Sequence, residues 1–144
     1  MTEQAILDFY QAGDEDRRLR APAAGRLELI RTQEILRRSL PPAPALVLDV
    51  GGGTGVHAEW LTADGYQVRL LDPVAGHVSV AIASGHDAVL GHAGDLPWGD
   101  DVADATLLLG PLYHLVSATD RAAALTEAVR VTRPGRRCPQ SGPG

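Results

Sequence analysis

The sequence predicts an α/β fold built on a parallel sheet, and three observations carry that expectation. An almost wholly apolar run from Ala45 to Val50 leads into Gly51-Gly-Gly53-Thr-Gly55, four glycines within five residues. Apolar strand-like runs and helix-like stretches then alternate as far as Val131, which calls for parallel strands joined by right-handed crossovers. The first strand is continuously apolar rather than alternating, the pattern of a central strand buried on both faces.

Residues 1–40 read as helical. Leu27, Leu29, Ile30, Ile35, Leu36 and Leu40 give an apolar face between Arg, Glu and Gln, and Pro41-Pro42 ends the helix. Gly13-Asp-Glu-Asp-Arg-Arg18 makes a polar joint before it. Beyond the first strand and the glycine loop, residues 56–63 read as a helix closed by a glycine cap at Asp64-Gly65. Tyr66 to Leu71 forms the second strand, and residues 75–83 a short helix ended by Ser84-Gly85. A weaker third strand covers about 87–91, and the fourth runs from Asp104 to Leu109. The last helix extends from about Asp120 to Val131, with Ser117 or Thr119 as N-cap and Gly135 beyond its end.

At 144 residues the chain is sized for one domain. Its net charge of −5 gives no global attraction to nucleic acid or to an anionic membrane. The start, Met1-Thr-Glu-Gln, lacks the basic residues and apolar run of a signal peptide. No apolar stretch approaches the ~20 residues needed to span a bilayer. The expectation is a soluble, cytoplasmic protein. The single cysteine, Cys138, excludes an internal disulfide and a cysteine-cluster metal site. All 13 basic side chains are arginine, and neither lysine nor asparagine occurs; a G+C-biased coding sequence explains this without a functional role for arginine.

The chemistry concentrates at the glycine loop. Side chains are missing where a ligand would hug the backbone, and glycine tolerates the positive φ of a tight strand-to-helix turn. The loop opens a helix, whose N-terminal N–H groups point outward. Two cofactor classes use this geometry. Asp49-Val-Gly51-Gly-Gly53-Thr-Gly55 fits D-x-G-x-G-x-G, the loop of enzymes that bind S-adenosylmethionine, while Gly53-Thr-Gly55-Val-His-Ala58 fits the dinucleotide pattern G-x-G-x-x-G/A. Both want an acidic residue at the end of the next strand. Asp72, followed by Pro73, supplies it, and its carboxylate can accept from a pair of ribose hydroxyls. Asp95, in Gly94-Asp-Leu-Pro97, follows the third strand and can accept from an adenine amino group.

With these features in order the chain resembles the class I S-adenosylmethionine-dependent methyltransferase family. The resemblance rests on the glycine loop, Asp72, Gly94-Asp95-Leu96-Pro97, Asp104-Ala-Thr-Leu-Leu-Leu-Gly-Pro-Leu-Tyr-His114 and the helix leading to Arg133-Pro-Gly135, over roughly residues 45–135. It implies a Rossmann-like doubly wound sheet of strand order 3-2-1-4 flanked by helices. The ligand crevice then falls between strands 1 and 4, where the winding reverses. It also implies S-adenosylmethionine as cofactor and methyl transfer as the reaction, with the acceptor open and a small molecule as the default. Three alternatives stand beside it: a catalytically inactive S-adenosylmethionine-binding fragment, a dinucleotide-binding oxidoreductase-type domain, and a non-functional translation product that does not fold alone.

On this reading Gly51, Gly52, Gly53 and Gly55 form the cofactor loop. Asp49 either orients the loop through its N–H groups or meets the cofactor's ammonium. Asp72 and Pro73 flank the ribose, Asp95 and Leu96 the adenine, and Gly110 faces the crevice after strand 4. Arg31, on the N-terminal helix, is a candidate partner for the methionine carboxylate, or a solvated helix-face arginine. Tyr10 packs over the site or simply anchors a helix. Tyr113 and His114 are the candidate catalytic residues, His114 as a base for a proton-bearing nucleophile. His57, His77, His86 and His92 show no ligand-like pairing with carboxylates at helical spacing, so no metal is expected.

The expected organisation is a helical cap over the cofactor site at 1–40, a partial S-adenosylmethionine-binding α/β domain at 41–135 and a tail at 136–144. In this family R-P-G-G is followed by an apolar fifth strand. Here Arg133-Pro-Gly135 is followed by Arg-Arg-Cys-Pro-Gln-Ser-Gly-Pro-Gly144, whose prolines remove ladder donors. The sequence therefore reads as truncated after the fourth strand and its helix, through a frameshift near codon 136. A genuine short protein with a basic, disordered tail is the alternative. Either way strand 4 would carry an unpaired apolar edge able to pair with a second copy.

Overall fold

A computed structural model of the chain describes residues 23–109 and 117–135. Among them are α1 (Ala23–Ser39), β1 (Leu46–Val50), α2 (Val56–Ala63), β2 (Gln67–Asp72), α3 (Ala75–Ala83), β3 (Asp87–Leu90), β4 (Ala105–Leu107) and α4 (Ala118–Val131). The four strands form one parallel sheet of order β3-β2-β1-β4, the Rossmann-like order that the family resemblance implies.

Strand alternation divides the core between the two faces. Val47 stands beside Val68 and Ala105, and Asp49 beside Leu70 and Leu107. On this face Leu36, Leu40, Trp60 and Leu61 of the α1–α2 layer close over Val47, Ala105 and Leu107, while Ala58, Leu70 and Ala81 join α2 and α3 to β2. On the opposite face Leu48, Val50, Leu71 and Leu108 pack with Leu96 and with Ala128 and Val131 of α4. Helices on both faces bury the central β1, so it can dispense with polar alternation.

The apolar face expected along the first helix is narrower than its sequence suggests. Leu36 and Leu40 are buried and Leu29 packs beside them, a spacing of seven and then four that follows one helical stripe. Leu27, Ile30 and Ile35 flank that stripe and are exposed. The lower end of α1 is clipped to the end of α2: Arg37 pairs with Asp64 at 2.9 Å, and its guanidinium lies 4.9 Å from the centre of the Trp60 ring. Both helices therefore run away from the carboxyl ends of the strands.

Strand 4 ends at Leu107 and starts one residue later than expected, where Asp104 acts as a corner. Its carboxylate accepts the Leu46 N–H at 2.8 Å and the Arg133 guanidinium at 2.9 Å. The strand's outer edge is engaged at its start. Ala103 donates its N–H to Val131 O and accepts the Arg133 N–H, both at 2.9 Å, in a parallel bridge to Thr132. Residues 136–144 lie outside the described residues. Among those described, no helix is long and apolar enough to cross a membrane.

Candidate cofactor site

The glycine loop is built against the end of β2. Gly51 and Gly52 both donate their N–H groups to Leu71 O, at 2.7 and 3.2 Å, and the Gly53 N–H donates to Asp72 Oδ1 at 3.0 Å. Gly55 is the N-cap of α2 at φ 103°, in the left-handed region that a side chain seldom occupies. The space its side chain would fill belongs to His86, whose Cδ2 would lie 2.5 Å from an added Cβ. At Gly52 the constraint is steric: a Cβ would stand 2.6 Å from Asp49 Oδ2 and 2.7 Å from Leu70 Cδ1.

Asp49 and Asp72 face the same side of the sheet, since Asp49 is in register with Leu70 and Asp72 lies two residues further along β2. Both are buried. Asp49 Oδ2 has no hydrogen-bond partner. Burial, and secondarily the charge of Asp72, raises the Asp49 pKa to about 7. The structure thus leaves beside the loop an acceptor that no group among the described residues meets.

Asp72 is the opposite case. Besides the Gly53 amide, it accepts the Val74 N–H on Oδ2 at 3.0 Å, across Pro73, in an Asx-type turn. His77 Nδ1 meets the same oxygen at 3.1 Å. Sequence reasoning passed over His77 because five residues separate it from Asp72, a spacing that matches no helical face. The turn at Val74 is what folds the first turn of α3 back onto the strand end.

Asp95 is exposed, in a tight turn where its N–H donates to His92 O at 3.1 Å. The segment carrying it leaves β3 beside Asp72, for Leu90 is in register with Asp72 and the Gly91 N–H donates to Asp72 O. Leu96 turns inward and is buried in the α4-side core. Its N–H donates to Glu127 Oε1 at 2.8 Å, and its carbonyl accepts Arg130 Nη2 at 3.2 Å. Arg130 also binds Trp98 O and Asp100, each at 2.9 Å. This anchoring by Glu127 and Arg130 was not anticipated from sequence; the Glu-x-x-Arg spacing on α4 was its only trace.

Arg31 is exposed on α1 and is not joined to the Asp49–Asp72 cluster. Gly110, Tyr113 and His114, like Tyr10 and Cys138, lie outside the described residues. His57 is drawn into the α2 surface, where its Nδ1 accepts the Trp60 indole N–H at 3.1 Å; burial lowers its pKa to about 4. Among the described residues no group of three or more His, Cys, Asp or Glu side chains is arranged to hold a metal.

Residues 48–138, most of the chain, match the methyltransferase domain family. The chain belongs to that family. The family implies S-adenosylmethionine as the cofactor. Among the similar proteins is the demethylmenaquinone methyltransferase of Mycobacterium tuberculosis, 38% identical over 91 residues that make up 63% of this chain and 38% of that one. The chain thus spans less than half the length of this methyltransferase relative. Among solved structures, the PH0226 protein from Pyrococcus horikoshii superposes with a TM-score of 0.76 at 17% identity, over 83% of this chain and 58% of that one. A SAM-dependent methyltransferase from Methanosarcina mazei gives 0.69 at 20% identity, over 74% and 55% of the two chains. These two likenesses concern the methyltransferase fold.

The residues present fit the methyltransferase cofactor. A buried carboxylate oxygen without a partner suits an ammonium donor, since burial is costly for such a group until a donor meets it. The absent side chain at Gly52 keeps that oxygen clear. The Asp72 carboxylate, an acceptor on both oxygens, stands at the end of the neighbouring strand.

Proposed function

We propose that this chain forms the cofactor-binding part of an S-adenosylmethionine-dependent methyltransferase that acts on a small-molecule acceptor. The observation that carries the proposal is the pair of buried carboxylates, Asp49 and Asp72, set around one glycine loop with Asp49 Oδ2 unpartnered. The relative from Mycobacterium tuberculosis is named for a small-molecule acceptor, which supports that class of substrate.

When bound, the cofactor supplies a methyl group already activated on a cationic sulfonium. What remains for the protein is to align donor and acceptor and exclude water. Gly51, Gly52, Gly53 and Gly55 let the cofactor approach the backbone. Asp49 receives its ammonium, Asp72 beside Pro73 its ribose hydroxyls, and Asp95 its adenine amino group. Leu96 acts from behind, fixing the Asp95 turn by burial in the core. Residues 41–135 make up this binding unit and residues 1–40 its helical cover. Arg31 is assigned to that cover, Gly110 to the crevice, and Tyr113 and His114 to the acceptor side.

Calorimetric titration of the 144-residue chain with S-adenosylhomocysteine, with NAD as the control ligand, tests the reading. Saturable binding of S-adenosylhomocysteine alone is expected. Preference for NAD, or binding of neither by a chain that circular dichroism shows to be folded, overturns it.

A further inference from the structure

Among the described residues three donors converge on Asp72, and they come from both sides of it. The Gly53 amide holds Oδ1 from the loop, while the Val74 amide and the His77 ring hold Oδ2 from the start of α3. An ionised carboxylate only accepts, so in this contact the His77 proton must sit on Nδ1. Asp72 is 1% exposed and the His77 side chain 9%. The contact is therefore shielded from water and of the charge-assisted kind that fixes geometry.

A carboxylate offers about four lone-pair positions. With three engaged, the direction of the remaining one is set by how the group is turned about its Cβ–Cγ bond. The two backbone donors belong to the turns on either side and move with them. His77 is the side-chain donor, reaching back from the first turn of α3, whose N-cap is Val74. From this geometry we infer that His77 is a positioning residue: it turns the Asp72 carboxylate so that its open edge meets the ribose diol of the cofactor. The inference rests on the ribose placement proposed above. It assigns discrimination for the sugar hydroxyls to a histidine that acts through the carboxylate rather than on the ribose itself.

The test compares S-adenosylhomocysteine with its 2′,3′-dideoxy analogue, titrated into the full chain and two variants. His77→Leu keeps apolar bulk but removes the donor. His77→Asn places an N–H near the position of Nδ1. The wild type is expected to favour the diol-bearing ligand about tenfold or more, the scale of one charge-assisted hydrogen bond. His77→Leu should bring that ratio to near one by weakening the natural ligand alone. His77→Asn should restore most of it. A merely structural role would weaken both ligands in parallel and leave the ratio unchanged, and that result overturns the inference, as does equal loss of the ratio in both variants. Failure of His77→Leu to fold leaves the decision to His77→Asn, in which a ratio near one is the overturning result. A wild type that does not distinguish the two ligands instead removes the ribose placement at Asp72.

Discussion

Asp72 and Asp49 sit at the ends of adjoining strands and face the same side of the sheet, so burial, and secondarily the charge of Asp72, opposes ionisation of Asp49. The two carboxylates are not equivalent. Among the described residues Asp72 is met by two amides and a histidine, whereas Asp49 Oδ2 is met by none. A buried acceptor left in this state costs the fold stability.

That sacrifice has a pH signature. The Asp49 pKa is raised from 3.8 to about 7, so between those values the folded chain keeps a proton that the unfolded chain has lost. Its contribution to stability is greatest below about pH 4 and falls as pH rises towards 7. His57 works in the other sense. Its pKa drops from 6.5 to about 4, so the unfolded chain binds the extra proton and stability rises with pH over that window. The two slopes, each at most about 1.4 kcal/mol per pH unit, oppose each other. Relative to the wild type, Asp49→Asn should make stability climb more steeply between about pH 4 and pH 6.5, and His57→Gln should make it fall. Urea unfolding across this range checks both signs. Variant profiles parallel to the wild type would contradict the assignment.

Arg130 gives a local prediction. Its guanidinium joins Leu96 O, Trp98 O, Asp100 and Glu127, and so ties the segment after Asp95 to α4. Arg130→Ala should speed amide hydrogen exchange over residues 95–100 while leaving the β1–β2 amides protected. It should also weaken S-adenosylhomocysteine several-fold, about the effect of loosening one hydrogen-bonded loop. Unchanged exchange in that segment would show that burial of Leu96 alone holds the turn.

A third prediction concerns the seam between β4 and the end of α4. Thr132 donates its hydroxyl to Ala128 O at 2.6 Å, so in the 2.7 Å contact between Thr106 and Thr132 the Thr106 hydroxyl is the donor. Both residues are buried. Thr132→Val should cost about 1–3 kcal/mol by stranding the Thr106 hydroxyl. Adding Thr106→Val should return part of that loss, giving a coupling term in a double-mutant cycle from chemical denaturation. Strictly additive losses would contradict the shared bond.

The extent to which this structure is legible in the sequence follows from where its signals are local. Helix α3 falls at 75–83 as predicted, because Pro73 and Ser84-Gly85 punctuate it on both sides. The N-cap of α4 is Ser117, whose hydroxyl accepts the Asp120 N–H at 3.0 Å, one of the two positions that composition allows. Strand order is a long-range property, and only the resemblance supplied it. What depends on tertiary approach stayed hidden. Nothing in the periodicity of α1 tells that Leu36 and Leu40 meet the sheet while Leu27 and Ile35 do not. Asp104 reads as the first residue of a strand, yet its side chain caps the start of β1. His77 and Arg130 act on residues 5 and up to 34 positions away, beyond any motif centred on the glycine loop.

The close approach of His86 to Gly55 ties together two turns that the chain separates by an entire β-α unit. Because the imidazole occupies the space beside the N-cap of α2, the loop after β1 cannot shift at that point without the turn before β3 registering it. The ring is thereby a built-in gauge. Its nuclear resonances are therefore a place to observe the conformation of the loop after β1 from a turn some thirty residues further along the chain.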